Sequence, residues 1–116
     1  MQYMVMIYET EAAFRARSGK DQATYWGAYK AYFQALQDAG VIAGGHPLQP
    51  PFSATTVRLR GGTREVQDGP FAETKEQLGG YYILDVPDLD TALGWAARCP
   101  AAADAAVEVR PILPMG

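Results

Sequence analysis

Met1–Tyr8 reads MQYMVMIY, and its alternation decides the fold. In an extended strand Tyr3, Val5 and Ile7 point to one side, and Met4, Met6 and Tyr8 to the other. Both sets are apolar. An antiparallel sheet with one wet face alternates apolar and polar residues, so this strand is expected to be covered on both sides. Tyr81–Leu84, YYIL, has the same two-sided character.

Working outward, Asp21 to Ala39 reads as a helix. Tyr25, Tyr29, Tyr32, Leu36 and Ala39 recur at helical spacing, and Trp26 and Phe33 widen the stripe. Gly40 stands where a left-handed cap is expected. The segment between Tyr8 and this helix reads as a polar connection. Val41 to Leu48 reads as a short irregular strand, interrupted by Gln49-Pro50-Pro51 because proline has no N–H for a ladder. Thr55–Arg60 and Arg64–Asp68 form a hairpin turning at Gly61-Gly62. Asp68-Gly69-Pro70-Phe71 breaks it. Pro70 and Gly79 then bracket an expected short helix, Phe71 to Leu78. Tyr81–Val86 is a strand. Asp88 caps a helix carrying Leu89, Ala92, Leu93, Ala96 and Ala97 on one face, which Pro100 ends. Val107–Ile112 is the last strand.

This order predicts an α+β chain with a ferredoxin-like antiparallel sheet, two main helices on one face and an inserted hairpin. Two helices cannot cover both faces of the sheet. A second copy of the chain is therefore expected on the open face, making a homodimer; folding of the hairpin and loops over that face is the alternative.

The chain has 116 residues, 48% of them apolar and 20% charged, which suits one domain, 1–116. The net charge is −3 and the basic residues are scattered, so no nucleic-acid footprint is expected. No basic amphipathic stretch suggests a membrane surface. The opening apolar run is too short to span a bilayer and lacks the features of a signal peptide. The single Cys99 cannot form an internal disulfide, so a reducing, cytoplasmic setting is expected.

Asp68, at a strand end, reads either as a general base or substrate-orienting carboxylate, or as a turn clamp reaching the Phe71 N–H. Phe71 is expected to pack inward. His46 is the one histidine, the residue type suited to acid/base work; it would pair with Asp68 if the second and third strands lie side by side, or else it is a loop-edge residue. Arg110, on one strand face with Glu108, could hold a carboxylate or form an ion pair. Glu73 and Lys75 could bind a polar substrate or form a solvated face. Trp26 and Tyr29 could line an aromatic pocket or belong to packing. Cys99 is expected to be buried and inert. The scattered His, Cys and carboxylates offer no metal-ligand spacing, and no glycine run makes a nucleotide loop, so no metal and no cofactor are expected.

The stretch Val66–Leu84, VQDGPFAETKEQLGGYYIL, resembles the signature of the DGPF subgroup of the YCII-related family. MQYMVMIY, Thr55-Thr56-Val57-Arg58, Trp95 to Pro100 and Glu108-Val109-Arg110-Pro111 also match, so the resemblance spans nearly the whole chain. It implies a ferredoxin-like fold dimerising through its sheets into an α/β barrel, with a small-molecule cleft between sheet and helices. For function, the expectation is a small-molecule binder, and one reading of it is a cofactor-free acid/base enzyme of isomerase, lyase or dehydrohalogenase type. The alternative is a non-catalytic binding or regulatory module linked to sigma-factor signalling. A dehydrochlorinase in the wider family has a proposed His/Asp pair with its histidine near the first helix; here that helix carries aromatics and no histidine.

Overall fold

The computed structural model describes residues 1–115. Strand β1, Gln2–Thr10, leads into helices α1 (Glu11–Ala16) and α2 (Gln22–Asp38). Strand β2 (Ile42–Pro47) and a 3-10 turn at Pro51–Ser53 follow, then strands β3 (Thr55–Arg60), β4 (Thr63–Asp68) and β5 (Glu76–Asp85). Helices α3 (Leu89–Ala97) and α4 (Ala101–Asp104) precede strand β6 (Ala106–Pro111). The main sheet has the order β2-β5-β1-β6, with every neighbouring pair antiparallel. With helical crossovers after β1 and after β5, this is the ferredoxin-like arrangement. β3 and β4 form a separate two-stranded sheet.

The alternation in β1 sets the layers. Tyr3, Val5 and Ile7 are buried and pack with Tyr32 and Leu36 of α2 and Ala92 and Ala96 of α3. Met4, Met6 and Tyr8 face the other way and are half-buried. By register, Tyr81 and Ile83 of β5 and Glu108 and Arg110 of β6 share that second face. The small Ala92 and Ala96 let α3 lie close to the sheet; Leu36 and Leu84 fill the centre at 0% exposure.

Three local expectations are corrected. The segment after Tyr8 holds α1, capped by Thr10, whose hydroxyl accepts from the Ala13 N–H at 3.2 Å. Its one buried residue is Phe14, too little to print a periodic stripe. The expected helix Phe71–Leu78 is absent. Thr74 bonds the Glu76 carbonyl, and the Gln77 amide bonds those of Ala72 and Thr74. These side-chain bonds fold the link into turns, and Glu76–Leu78 join the ladder opposite Tyr8–Thr10. Phe71 is 73% exposed in the single chain, with the Arg58 guanidinium 4.7 Å from its ring centre.

The other elements form where their local signals place them, but of the apolar stripe on α3 only Ala92 and Ala96 are buried, and Leu89 and Leu93 are exposed. Asp88 caps α3 by accepting from the Thr91 N–H at 2.8 Å. Gly61 and Gly62 turn the hairpin at φ of 56° and 79°. Leu36→Ala should cost about 2–5 kcal/mol in urea unfolding, because it empties a fully buried site. Leu93→Ala, on the outer side of α3 at 47% exposure, should cost much less; equal losses would contradict this placement of the core.

Candidate functional site

The inward series of β1 does not stop at Ile7. Glu9 is the next inward residue and is only 3% exposed. A carboxylate removed from water needs charge and hydrogen-bond partners, and three side chains, one just after α1 and two on α2, supply them. The Arg17 Nη2 donates to Glu9 Oε1 at 2.8 Å. The Tyr25 hydroxyl lies 2.7 and 2.6 Å from the two carboxylate oxygens. The Tyr29 hydroxyl lies 3.2 Å from Oε2. Tyr25 and Tyr29 sit one turn apart on α2, so both rings descend from one helix face.

Arg17 just follows α1 and holds the assembly together. Its Nε donates to the Tyr25 oxygen at 3.0 Å. Its Nη2 also donates to the Gly79 carbonyl at 2.9 Å, and its Nη1 to the Leu48 carbonyl. Trp26 donates its indole N–H to the Arg17 carbonyl at 2.9 Å. One guanidinium thus joins β1, α2, the β5 strand and the chain leaving β2.

Gly79 makes room for this. The register of β1 on β5 slips between Ile7 and Tyr8, so Gly79 has no partner on β1. A Cβ at residue 79 would stand 2.6 Å from Glu9 Oε1 and 3.0 Å from Arg17 Nη2. On β2, Gly45 has φ of 146°, and a Cβ there would stand 2.5 Å from the Tyr81 carbonyl. Gly79 and Gly80 of LGGYYIL and Gly45 of VIAGGH are therefore spatial requirements of the site and its adjoining edge.

Burial, reinforced by the Glu9 carboxylate, raises the pKa values of Tyr25 and Tyr29 well above the ordinary tyrosine value. Both remain protonated donors at neutral pH. Burial opposes the charge on Arg17, but its bonds to Tyr25 and Glu9 outweigh that and raise its value. Burial also lifts the Cys99 thiol to about 11, despite a bond to Tyr29. The thiol is protonated and inert near neutrality.

A cleft of about 80 Å³ opens against the cluster, walled by Ile7, Trp26, Tyr29, Gly80 and Tyr82. Tyr25 and Tyr29 also floor a larger hollow, about 250 Å³, on the side of α1 and α4. The aromatic rings with a few fixed polar groups make a surface suited to a small, flat, partly polar molecule.

The sequence candidates are dispersed. Tyr29 and Trp26 lie in the site. His46 is exposed at the cleft margin, edge-on to Tyr81 with centroids 6.1 Å apart. Asp68 ends β4 and is exposed; β2 pairs with β5 and β4 with β3, so His46 and Asp68 stand on different sheets. The turn after Asp68 is fastened by the Gly69 N–H to Ala54 O at 2.7 Å and by the Thr56 hydroxyl to Gly69 O at 2.9 Å. Glu73 and Lys75 are exposed in the irregular link, with Lys75 beside a separate hollow that includes Phe14 and Phe52. Arg110 bonds Glu108 at 2.7 Å on the outer sheet face. Among the described residues no group of three or more His, Cys, Asp or Glu is placed to hold a metal ion. Glu9 and Arg17 were missed by the sequence reading. Glu9 was discoverable as a charged residue continuing the inward alternation of β1; Arg17 carried no signal.

The YCII-related domain profile matches residues 1–116. The chain belongs to the YCII-related family. An uncharacterized protein of Rhizobium meliloti (strain 1021) is 36% identical over 114 residues, covering 97% of this chain and 92% of that protein. Among solved structures, the chain resembles 5-chloro-2-hydroxyhydroquinone dehydrochlorinase from Burkholderia phenoliruptrix AC1100, in complex with 2,5-dihydroxybenzoquinone. The TM-score is 0.56 at 16% identity, over 97% of this chain and 94% of that one. That likeness is one of fold. No helix is long and apolar enough to cross a membrane among the described residues.

The tyrosines give the site a pH signature. They hold their protons more tightly folded than unfolded, where the value is near 10.0. The stability from this source is whole below that pH. It falls as the pH rises further, because the unfolded chain then binds fewer protons than the folded one. The urea midpoint should therefore decline above about pH 10, and decline less in the Tyr25→Phe/Tyr29→Phe double variant. A wild-type midpoint that is flat through this range contradicts the buried, carboxylate-facing placement.

Proposed function

We propose that this YCII-related chain binds a small planar, hydroxyl- or carbonyl-bearing molecule in the Glu9 cleft and transfers a proton on it without a cofactor. The observation that carries the reading is a carboxylate at 3% exposure held in a cleft wall by two tyrosine hydroxyls and a guanidinium. Trp26, Tyr29 and Tyr82 offer ring faces and edges to a flat ligand. Glu9, through its short bond to Tyr25, accepts a proton from the ligand. The Tyr29 hydroxyl, kept protonated by its surroundings, donates to the ligand oxygen on which charge develops. Arg17 offsets the negative charge throughout. Isomerisation, elimination and dehydrohalogenation all fit this set of groups. The dehydrochlorinase with the similar fold, seen with a dihydroxylated quinone ring, supports the ligand class.

The functional unit in this reading is a homodimer joined through the outer sheet face into an α/β barrel. Met4, Met6, Tyr8, Tyr81 and Ile83 form that face, and apolar sheet faces of this kind are commonly covered by a second subunit. A second reading, a binding module without chemistry, draws on the fact that both Glu9 oxygens already have partners within the chain.

Hydroquinones, hydroxyquinones and their chlorinated forms provide the test. Binding should quench the Trp26 emission, and Trp26→Phe should remove that response. Tyr29→Phe should weaken binding by about tenfold, equivalent to about 1.4 kcal/mol for one hydrogen bond. Glu9→Gln should retain binding and lose turnover; turnover surviving in Glu9→Gln contradicts the role of Glu9 as base, and wild-type binding without any turnover leaves the binding module as the correct reading. No binding by any such ring sinks both.

A further inference from the structure

Among the described residues the β3–β4 hairpin has no sheet partner but itself. An isolated two-stranded hairpin is marginally stable in water. Its register sorts the side chains into two unlike faces. Val57, Val66 and Leu59 lie on one face and are 57%, 54% and 74% exposed. Arg58, Arg60 and Glu65 lie on the other, where Arg60 and Glu65 pair at 3.5 Å and Arg58 covers Phe71. The polar face thus makes ion-pair and ring contacts within the chain, while the apolar face, with Val57 opposite Val66, is more than half exposed. The chain's dimensions agree: its radius of gyration is 15.9 Å, against about 13.4 Å for a compact domain of this length.

We propose that the hairpin is an arm that lays its apolar face on a second copy of this chain. The inference rests on the homodimer reading of the outer sheet face and adds a second contact surface to it. The chain itself holds both halves of the match. One molecule offers an apolar sheet face with Met4, Met6 and Tyr81, and an apolar hairpin face with Val57, Leu59 and Val66. A two-fold pairing covers both surfaces on both copies and closes without further addition. The charges agree in kind. Arg64 and Asp68 stand at opposite ends of the hairpin's apolar face, and Glu108 and Arg110 stand among the sheet methionines. A stable interface buries about 800 Å² per partner, more than three hairpin side chains supply, so arm and sheet face form one continuous interface. Asp68, at the base of the arm on its apolar face, then belongs to the subunit boundary rather than to its own chain's cleft.

Sedimentation equilibrium from tens of nanomolar to tens of micromolar tests this on the full chain. The wild type should be dimeric, and Val57→Lys/Val66→Lys should raise the dissociation constant at least tenfold. Gln67→Lys, on the opposite hairpin face, should leave it unchanged. Circular dichroism of the variants should show the wild-type fold, because Val57 and Val66, opposite each other on the hairpin, are 57% and 54% exposed and lie outside the buried core. If Val57→Lys/Val66→Lys dimerises as tightly as the wild type, the arm is wrong and the sheet-face dimer stands. If Gln67→Lys weakens the dimer equally, the assignment of the docking face is wrong. A monomeric wild type overturns the arm and the dimer together.

Discussion

A charge has been taken out of water at Glu9, and much of the surrounding structure answers to it. Removing a carboxylate and a guanidinium from solvent costs several kcal/mol for each ion before their attraction is counted. The pair between Glu9 and Arg17 is therefore sustained only by complete hydrogen bonding. That requirement accounts for the tyrosines at 25 and 29, the absent side chain at Gly79, and the approach of the Leu48 and Gly79 carbonyls to Arg17. Apolar residues of similar volume would stabilise such a site as well or better. On the proposed function, these charges serve the ligand rather than stability.

The cluster also ties together elements whose packing is thin. α1 buries only Phe14, and no periodic stripe directs it onto the sheet. Arg17, at its end, anchors it to β1, α2 and β5 at once. The glycine bulge on β5 serves both neighbours of that strand. Gly79 leaves space for the ion pair on the side of β1, and Gly80 lets the chain at His46 and Pro47 approach, where a Cβ would stand 3.1 Å from the His46 carbonyl. The site and the sheet register depend on the same two residues.

Much of the architecture was legible from local physics. The two-sided alternation of Tyr3–Tyr8, the stripe from Tyr25 to Leu36, the Asp88 cap and the Gly61-Gly62 turn each specify an element without tertiary information. Where the reading failed, tertiary pairing or side-chain bonding to the backbone overrode a local cue. Pro70 and Gly79 bracket a helix by their positional preferences, yet Gly79 is a bulge in a strand paired with β1. The site was harder to see than the fold. Trp26 and Tyr29 were visible as aromatics on a helix, but their partner Glu9 reads as the polar end of a strand. Arg17 reads as one more charge in a connection. Chemistry assembled from a strand end, a helix terminus and a helix face has no spacing to betray it. Asp68 drew notice through its turn motif and lies on another sheet.

Since the cluster is held to act as one unit, its side chains must be energetically coupled. A double-mutant cycle between Glu9→Gln and Tyr25→Phe, read by urea unfolding, measures this directly. The expected interaction energy lies between about 0.5 and 3 kcal/mol, the range for contacting members of one hydrogen-bond network. Additive losses, with an interaction energy near zero, would contradict the assembly on which this account of the fold and the site rests.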